Sequence, residues 1–170
     1  LVTSIGYPTA DGSCPHVSLF AGCSGNRVFL NRGSMEFEDA TDELGLRHSW
    51  WGWGVAAADL ANDGEAELVV TNGRHRPGGP VDPDDQQAVY YDAFDDDPTQ
   101  VWVRRPDGFA EAAAQVGLEH REVGLGLVPF DHDRDGRVDL LITHPGRPPV
   151  LYRNVTEPQQ HWLGFRLEDE

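Results

Sequence analysis

The chain has 170 residues, 39% hydrophobic and 25% charged, a composition that fits one globular domain and excludes a disordered segment. Its 29 Asp and Glu face 13 basic residues, every one of them Arg, for a net charge of −16, which excludes nucleic acid or an anionic membrane as the main partner and suits cations or basic proteins. No apolar run reaches the roughly 18–20 residues of a bilayer-spanning helix, so no membrane insertion is expected.

The sequence opens at Leu1 rather than Met, as expected of a processed product or a fragment. Cys14 and Cys23 stand nine positions apart in a stretch rich in Gly and Ser. They read either as a disulfide closing a short loop, which implies an oxidising compartment, or as two reduced thiols. The run Val17-Ser18-Leu19-Phe20-Ala21 looks like a fragment of a strand-bearing unit that recurs further on. Strands are predicted over 27–31, 53–58, 66–71, 100–104, 126–130, 138–143 and 162–167, because short β-rich runs there are bounded by Gly, Asp and Asn. Helical periodicity is confined to 39–46 and 111–118. Between the two halves, 74–97 is rich in Pro, Gly and Asp and reads as a long acidic surface loop, with Tyr90-Tyr91 placed to pin it to the body.

An internal repeat organises these elements. Phe37-Glu38-Asp39-Ala40 recurs as Phe109-Ala110-Glu111-Ala112, 72 positions on. The same offset then carries His48 onto His120, Gly52 and Gly54 onto Gly124 and Gly126, Asp59 onto Asp131, and Asp63-Gly64 onto Asp135-Gly136. A third start, Val150-Leu151-Tyr152-Arg153-Asn154, echoes Val28-Phe29-Leu30-Asn31. The chain therefore divides into a partial strand and Cys-containing loop at 1–27, a first unit at 28–99, a second at 100–149 and the start of a third at 150–170.

The loop 131–139 carries carboxylates at its first, third, fifth and ninth positions and Gly at the sixth. Calcium is a hard cation that takes six to eight oxygens, and alternate carboxylates on a tightly turning backbone supply them. Asp131, Asp133, Asp135, the Arg137 carbonyl and Asp139 are the candidate ligands for Ca2+. An EF-hand would need a Glu at the twelfth position and flanking helices, whereas Ile142 stands there and the flanks are strand-like. The equivalent loop 59–67 has Ala61 at its third position, so Asp59, Asp63, Glu65 and Glu67 make a weaker candidate site.

Taken together, the Leu-Tyr-Arg-Asn start, the Phe-x-Asp/Glu stretch ending in Gly-Leu, the Gly-x-Gly strand and the Asp-x-Asp-x-Asp-Gly loop resemble FG-GAP/VCBS repeats of integrin-α-type β-propellers. Tyr152-Arg153-Asn154 followed by His161-Trp162-Leu163-Gly164-Phe165-Arg166-Leu167 is similar to the junction at which cartilage acidic protein-like chains pass into an ASPIC/UnbV segment. The resemblance spans residues 17–167, departing at Ala61 and at Arg104-Arg105-Pro106-Asp107-Gly108. It implies an all-β fold of about two propeller blades plus flanking strands, calcium in the acidic loops, and a secreted or cell-surface protein without a firmly shared catalytic activity. A propeller needs at least about four blades, so the chain is expected to be part of a larger propeller, packed against the remainder of its own propeller or a partner protein chain.

His48 and His120, with His132 and His144, suggest either a transition-metal site or structural roles that repetition explains, and the structural reading is preferred. Trp50 and Trp51 are candidates for stacking on a glycan or peptide, while Trp53, matching Leu125, is expected in the core. Asn154-Val155-Thr156 is a glycosylation sequon whose Asn also belongs to the unit-start motif. No nucleophile elbow, phosphate loop, dinucleotide fingerprint or His-Glu-x-x-His occurs, so an enzyme reading has no residues to stand on, save as part of a larger enzyme or biosynthetic accessory protein.

Overall fold

A computed structural model describes residues 25–48, 50–74, 84, 94–157 and 160–168. Cys14 and Cys23, the run at 17–21, Tyr90 and Tyr91 lie outside them. The described residues are all-β apart from one short helix. Strands β1 (Phe29–Gly33) and β2 (Glu36–Asp39) form a two-stranded sheet; β3 (Val55–Ala58), β4 (Glu67–Val70), β5 (Gln100–Arg105) and β6 (Gly108–Glu111) form a four-stranded one; β7 (Gly126–Phe130), β8 (Asp139–His144) and β9 (Arg147–Tyr152) form a third. Every pairing is antiparallel and joins neighbours in sequence, the meander of a propeller blade. Helix α1 (Ala113–Val116) follows β6 and ends at Gly117 in the left-handed conformation.

The sheets repeat as the sequence does, but out of phase with it. Val55↔Val70 in β3–β4 becomes Leu127↔Ile142 in β7–β8, in the same register 72 residues on. The next strand pairs Leu68↔Trp102 in the middle sheet and Leu140↔Tyr152 in the third, an offset of only 50. The difference is the acidic loop: the β4–β5 connection contains it, whereas Pro145-Gly146 alone turns β8 into β9. The middle sheet therefore takes two strands from each sequence unit. By the same phase, β1–β2 is the counterpart of β5–β6, the outer half of a sheet.

The core lies between the middle and third sheets. Val69 and Val101 of the former pack with Leu140 of the latter and with Ala113 and Leu118 around α1, and Leu60, Val103, Leu127 and Tyr152 close the cluster. Each such fully buried aliphatic side chain contributes about 1.5–3 kcal/mol. The sheets come closest at the Gly-x-Gly segments: Gly124 donates to the Asn72 carbonyl at 3.0 Å, and a Cβ there would stand 2.8 Å from Thr71 Cβ.

Two sequence expectations are corrected and a third holds only in part. Residues 162–167 form no strand: they are irregular and exposed, with Phe165 and Leu167 almost wholly in solvent, because no described strand offers them a partner. Residues 41–45 keep one helical turn, the Leu44 N–H on the Ala40 carbonyl at 3.0 Å, and no more, while Thr41 Oγ1 accepts the Val28 N–H at 2.9 Å and Asp39 accepts the Thr41 N–H at 3.1 Å. Trp53 is 40% exposed instead of buried. It sits between the inward positions of Gly52 and Gly54, and its indole N–H donates outward to the Gly73 carbonyl at 2.7 Å.

Candidate metal-binding loops

The two acidic loops join the first and second strands of adjacent sheets, β3 to β4 and β7 to β8, and they share one backbone design. Asp131 accepts the N–H groups of Asp135 at 3.1 Å and Gly136 at 2.8 Å, and Asp135 accepts that of Arg137 at 3.0 Å. In the first loop Asp59 accepts Asp63 and Gly64, each at 2.9 Å, and Asp63 accepts Glu65 at 2.9 Å. Left-handed residues recur in step, Arg134 and Gly136 against Asn62 and Gly64. The curl that gathers the carboxylates is thus encoded by side chain to backbone bonds at alternate positions.

Asp131, Asp133 and Asp135 each bring a carboxylate oxygen within 4.8 Å of the other two. Asp139 is not in that group. It is 1% exposed at the start of β8, and its two oxygens serve different partners. Oδ2 accepts the backbone N–H of His132 at 2.9 Å and meets His132 Nδ1 at 2.5 Å; Oδ1 accepts the N–H of Asn154 at 2.7 Å. A second group of ligand atoms, from His132, Asp133 and Asp139, overlaps the first through Asp133.

Arginines balance the charge of the second loop. Arg153 donates to Asp133 at 2.8 Å and to Asp135 at 3.1 Å, and Arg137 pairs with Asp135 while donating from Nε to the Asn154 carbonyl at 2.9 Å. Burial acts to raise the Asp135 pKa, but the Arg137 N–H and the two guanidiniums outweigh it and hold the group below its usual value. Asp139 is likewise pushed up by burial and held low by Asn154 and His132. Its hydrogen bond in turn raises the His132 pKa.

The first loop holds no comparable group of three among the described residues. Glu67 turns back to accept the N–H of Leu60 at 2.7 Å, with Ala61 at 3.4 Å, and its burial raises its pKa against those bonds. Glu65 pairs with Arg104 at 3.0 Å. Ala61 stands where Asp133 would contribute.

Asn154 was not among the sequence-predicted site residues, yet it joins both loops. Its Nδ2 donates to the Leu60 carbonyl of the first loop at 2.8 Å and to the Val138 carbonyl of the second at 3.1 Å. Beside this junction a cleft of about 410 Å³ runs between the sheets, lined by Leu60, Val101, Leu118, Leu140, Tyr152 and Val155 among others. On another part of the surface, Trp51 packs against Phe94 with centroids 5.5 Å apart and donates its backbone N–H to Asp97 at 3.2 Å, while Trp50 is 37% exposed.

Such loops on a meander of short antiparallel sheets have a counterpart among known families. Residues 17–70 match the model of the FG-GAP-like repeat. The match runs through β1 to β4 and the whole first acidic loop, and it supports an FG-GAP repeat family. The second unit repeats the β3–β4 register and the loop curl outside the matched segment. No curated protein matches the chain.

Proposed function

We propose that the chain is a calcium-stabilised segment of an FG-GAP/VCBS-type β-propeller, secreted or carried at a cell surface, that serves protein interaction or assembly. The observation that carries this reading is the convergence of Asp131, Asp133 and Asp135 in a loop curled by left-handed Arg134 and Gly136. An all-oxygen donor set of this kind fits a hard cation. Asp131, Asp133, Asp135 and the Arg137 carbonyl would hold Ca2+, with Asp139 at the base of the loop. Bound there, the ion supplies the positive charge that lets three carboxylates share one turn, and so couples metal binding to blade stability.

The interaction role rests on the array's outer surfaces. Phe29, Met35 and Phe37 of the β1–β2 hairpin are exposed at one end, and Val128, Phe130 and Leu151 of the third sheet at the other. The three sheets among the described residues fall short of a closed propeller, so these faces suit the remainder of the chain's own propeller or a partner protein. The His161 to Leu167 segment is the start of an ASPIC/UnbV-like extension in this reading.

Thermal melting of the chain with Ca2+ and with EDTA tests the proposal. Calcium at about 100 times its Kd adds about 2.7 kcal/mol, a gain that Asp133→Ala should abolish. An unchanged melting transition after chelation of the wild-type chain overturns it.

A further inference from the structure

His120 and His144 meet between the sheets with their Nε2 atoms 2.7 Å apart, and both rings are buried, at 7% and 9% exposure. His120 lies in the segment between α1 and β7, held by its backbone: its carbonyl accepts the Thr99 N–H at 2.6 Å, and its own N–H donates to Leu118 at 2.9 Å. His144 ends β8. Each ring's other nitrogen is also engaged, His144 Nδ1 with the Pro148 carbonyl at 3.1 Å and His120 Nδ1 with the Tyr152 hydroxyl at 2.6 Å. Glu122 places a carboxylate oxygen within 4.8 Å of the ligand atoms of both histidines and is steadied by Arg147 at 2.6 Å.

We propose that His120, His144 and Glu122 form a binding site for a divalent transition metal of the zinc class, separate from the acidic loops. Comparison of the two repeat units argues that His144 is there for more than packing. Its equivalent 72 positions earlier is Asn72, whose Nδ2 donates to the Pro98 carbonyl at 2.6 Å, just as His144 donates to Pro148. One side-chain N–H aimed at that carbonyl is all the strand end needs, and Asn provides it. Histidine adds a second nitrogen, directed at His120. The position equivalent to Glu122 holds Trp50, so the first unit, despite His48, lacks the set. Repetition accounts for His48 and His120 but not for the convergence of three ligand-bearing side chains in one unit.

The donor chemistry selects the metal. Two imidazoles and a carboxylate are a zinc donor set that leaves a fourth position open, and imidazole nitrogen suits Zn2+, Ni2+ and Cu2+ over the oxygen-seeking Ca2+. The Pro148 carbonyl fixes the His144 proton on Nδ1, which leaves Nε2 as a ligand, the usual outer-partner arrangement for metal-bound histidine. For His120 to bind through Nε2 its proton must reside on Nδ1. The Tyr152 hydroxyl then turns from donor to acceptor, and the ring stays neutral with no net change in protons. Two nitrogens on one tetrahedral Zn2+ stand roughly 3.4 Å apart at Zn–N of about 2.0–2.1 Å, so the pair opens by roughly 0.7 Å from its 2.7 Å separation.

The test is calorimetric titration of the metal-stripped full chain with Zn2+ in excess Ca2+, which occupies the acidic loops, and a parallel titration with Co2+ read by its visible absorption. His144→Asn is the decisive variant, since Asn72 shows that Asn keeps the structural bond in this setting; its melting temperature checks the fold. The expected result is one equivalent of Zn2+ bound by the wild type and by Asp133→Ala, weakened at least about tenfold in His144→Asn and in Glu122→Gln. Equal Zn2+ affinity in wild type and His144→Asn, or loss of binding in Asp133→Ala, overturns the proposal.

Discussion

Asp97 offers a quantitative test of how the long acidic loop is anchored to the sheets. It is 4% exposed, follows Asp95 and Asp96 directly, and receives the backbone N–H of Trp51 at 3.2 Å. Burial raises its pKa to about 6; the Trp51 N–H pulls it down, and the Asp95 and Asp96 charges push it further up. An Asp whose folded pKa lies above its unfolded value of 3.8 favours the fold when protonated. Its contribution is complete below about pH 3.8, declines as the pH rises through about 6, and above that the ionised group costs the fold. About two pKa units at 1.36 kcal/mol each make the difference about 3 kcal/mol. Asp97→Asn retains an acceptor for Trp51 and removes the titration. Urea unfolding of both chains from about pH 3 to about pH 8 should show the Asn variant gaining stability over wild type by about 3 kcal/mol across that range, most of it below about pH 6. A difference that does not change with pH refutes the burial argument.

Two further outcomes follow from the loop charges and the sheet spacing. Arg153→Gln removes a guanidinium shared by Asp133 and Asp135; exposed ion pairs contribute about 0.2–1 kcal/mol each, so Ca2+ affinity measured by calorimetry should rise about two- to thirtyfold, and an unchanged or weaker affinity would count against a cation at these carboxylates. Gly124→Ala forces a Cβ to within 2.8 Å of Thr71 Cβ and 3.1 Å of Ile142 Cγ2, and such overpacking costs about 1–3 kcal/mol, visible as a lowered denaturation midpoint with an unchanged slope.

Two of the strands legible in the sequence owe their signal to a buried face. Residues 66–71 and 138–143 carry apolar side chains because β4 and β8 are central strands, with Val69, Val70, Leu140 and Ile142 all buried. Strands β2 and β6 gave no such signal. Glu36-Phe37-Glu38-Asp39 is exposed throughout and exists as a strand through its pairing with β1 across Ser34 and Met35, both in the left-handed region that a tight hairpin turn requires. The acidic loops were legible in their spacing, since alternate carboxylates and a Gly specify the curl locally. What spacing could not reveal is that Asp139 turns to His132 and Asn154, because Asn154 comes from the next unit and arrives only once β9 has paired with β8. The phase between sequence unit and sheet was hidden for a similar reason: similarity marks where a unit was copied, whereas a sheet closes wherever an edge finds a partner.

That phase shift has a mechanical consequence. Because β9 opens the third sequence unit yet belongs to the sheet of the second, the residues just beyond it, Arg153 and Asn154, are delivered to the acidic loop of the sheet they complete. Arg153 answers the loop's charge. Asn154 ties Asp139 by its backbone and the Leu60 and Val138 carbonyls by its amide, so one side chain spans the loops of adjacent sheets. The Leu-Tyr-Arg-Asn start does two jobs at once: its apolar residues finish a sheet, and its Arg and Asn lock the loop between that sheet's first two strands. An out-of-phase repeat makes each unit's loop depend on the beginning of the next, which links neighbouring sheets by covalent continuity as well as by packing.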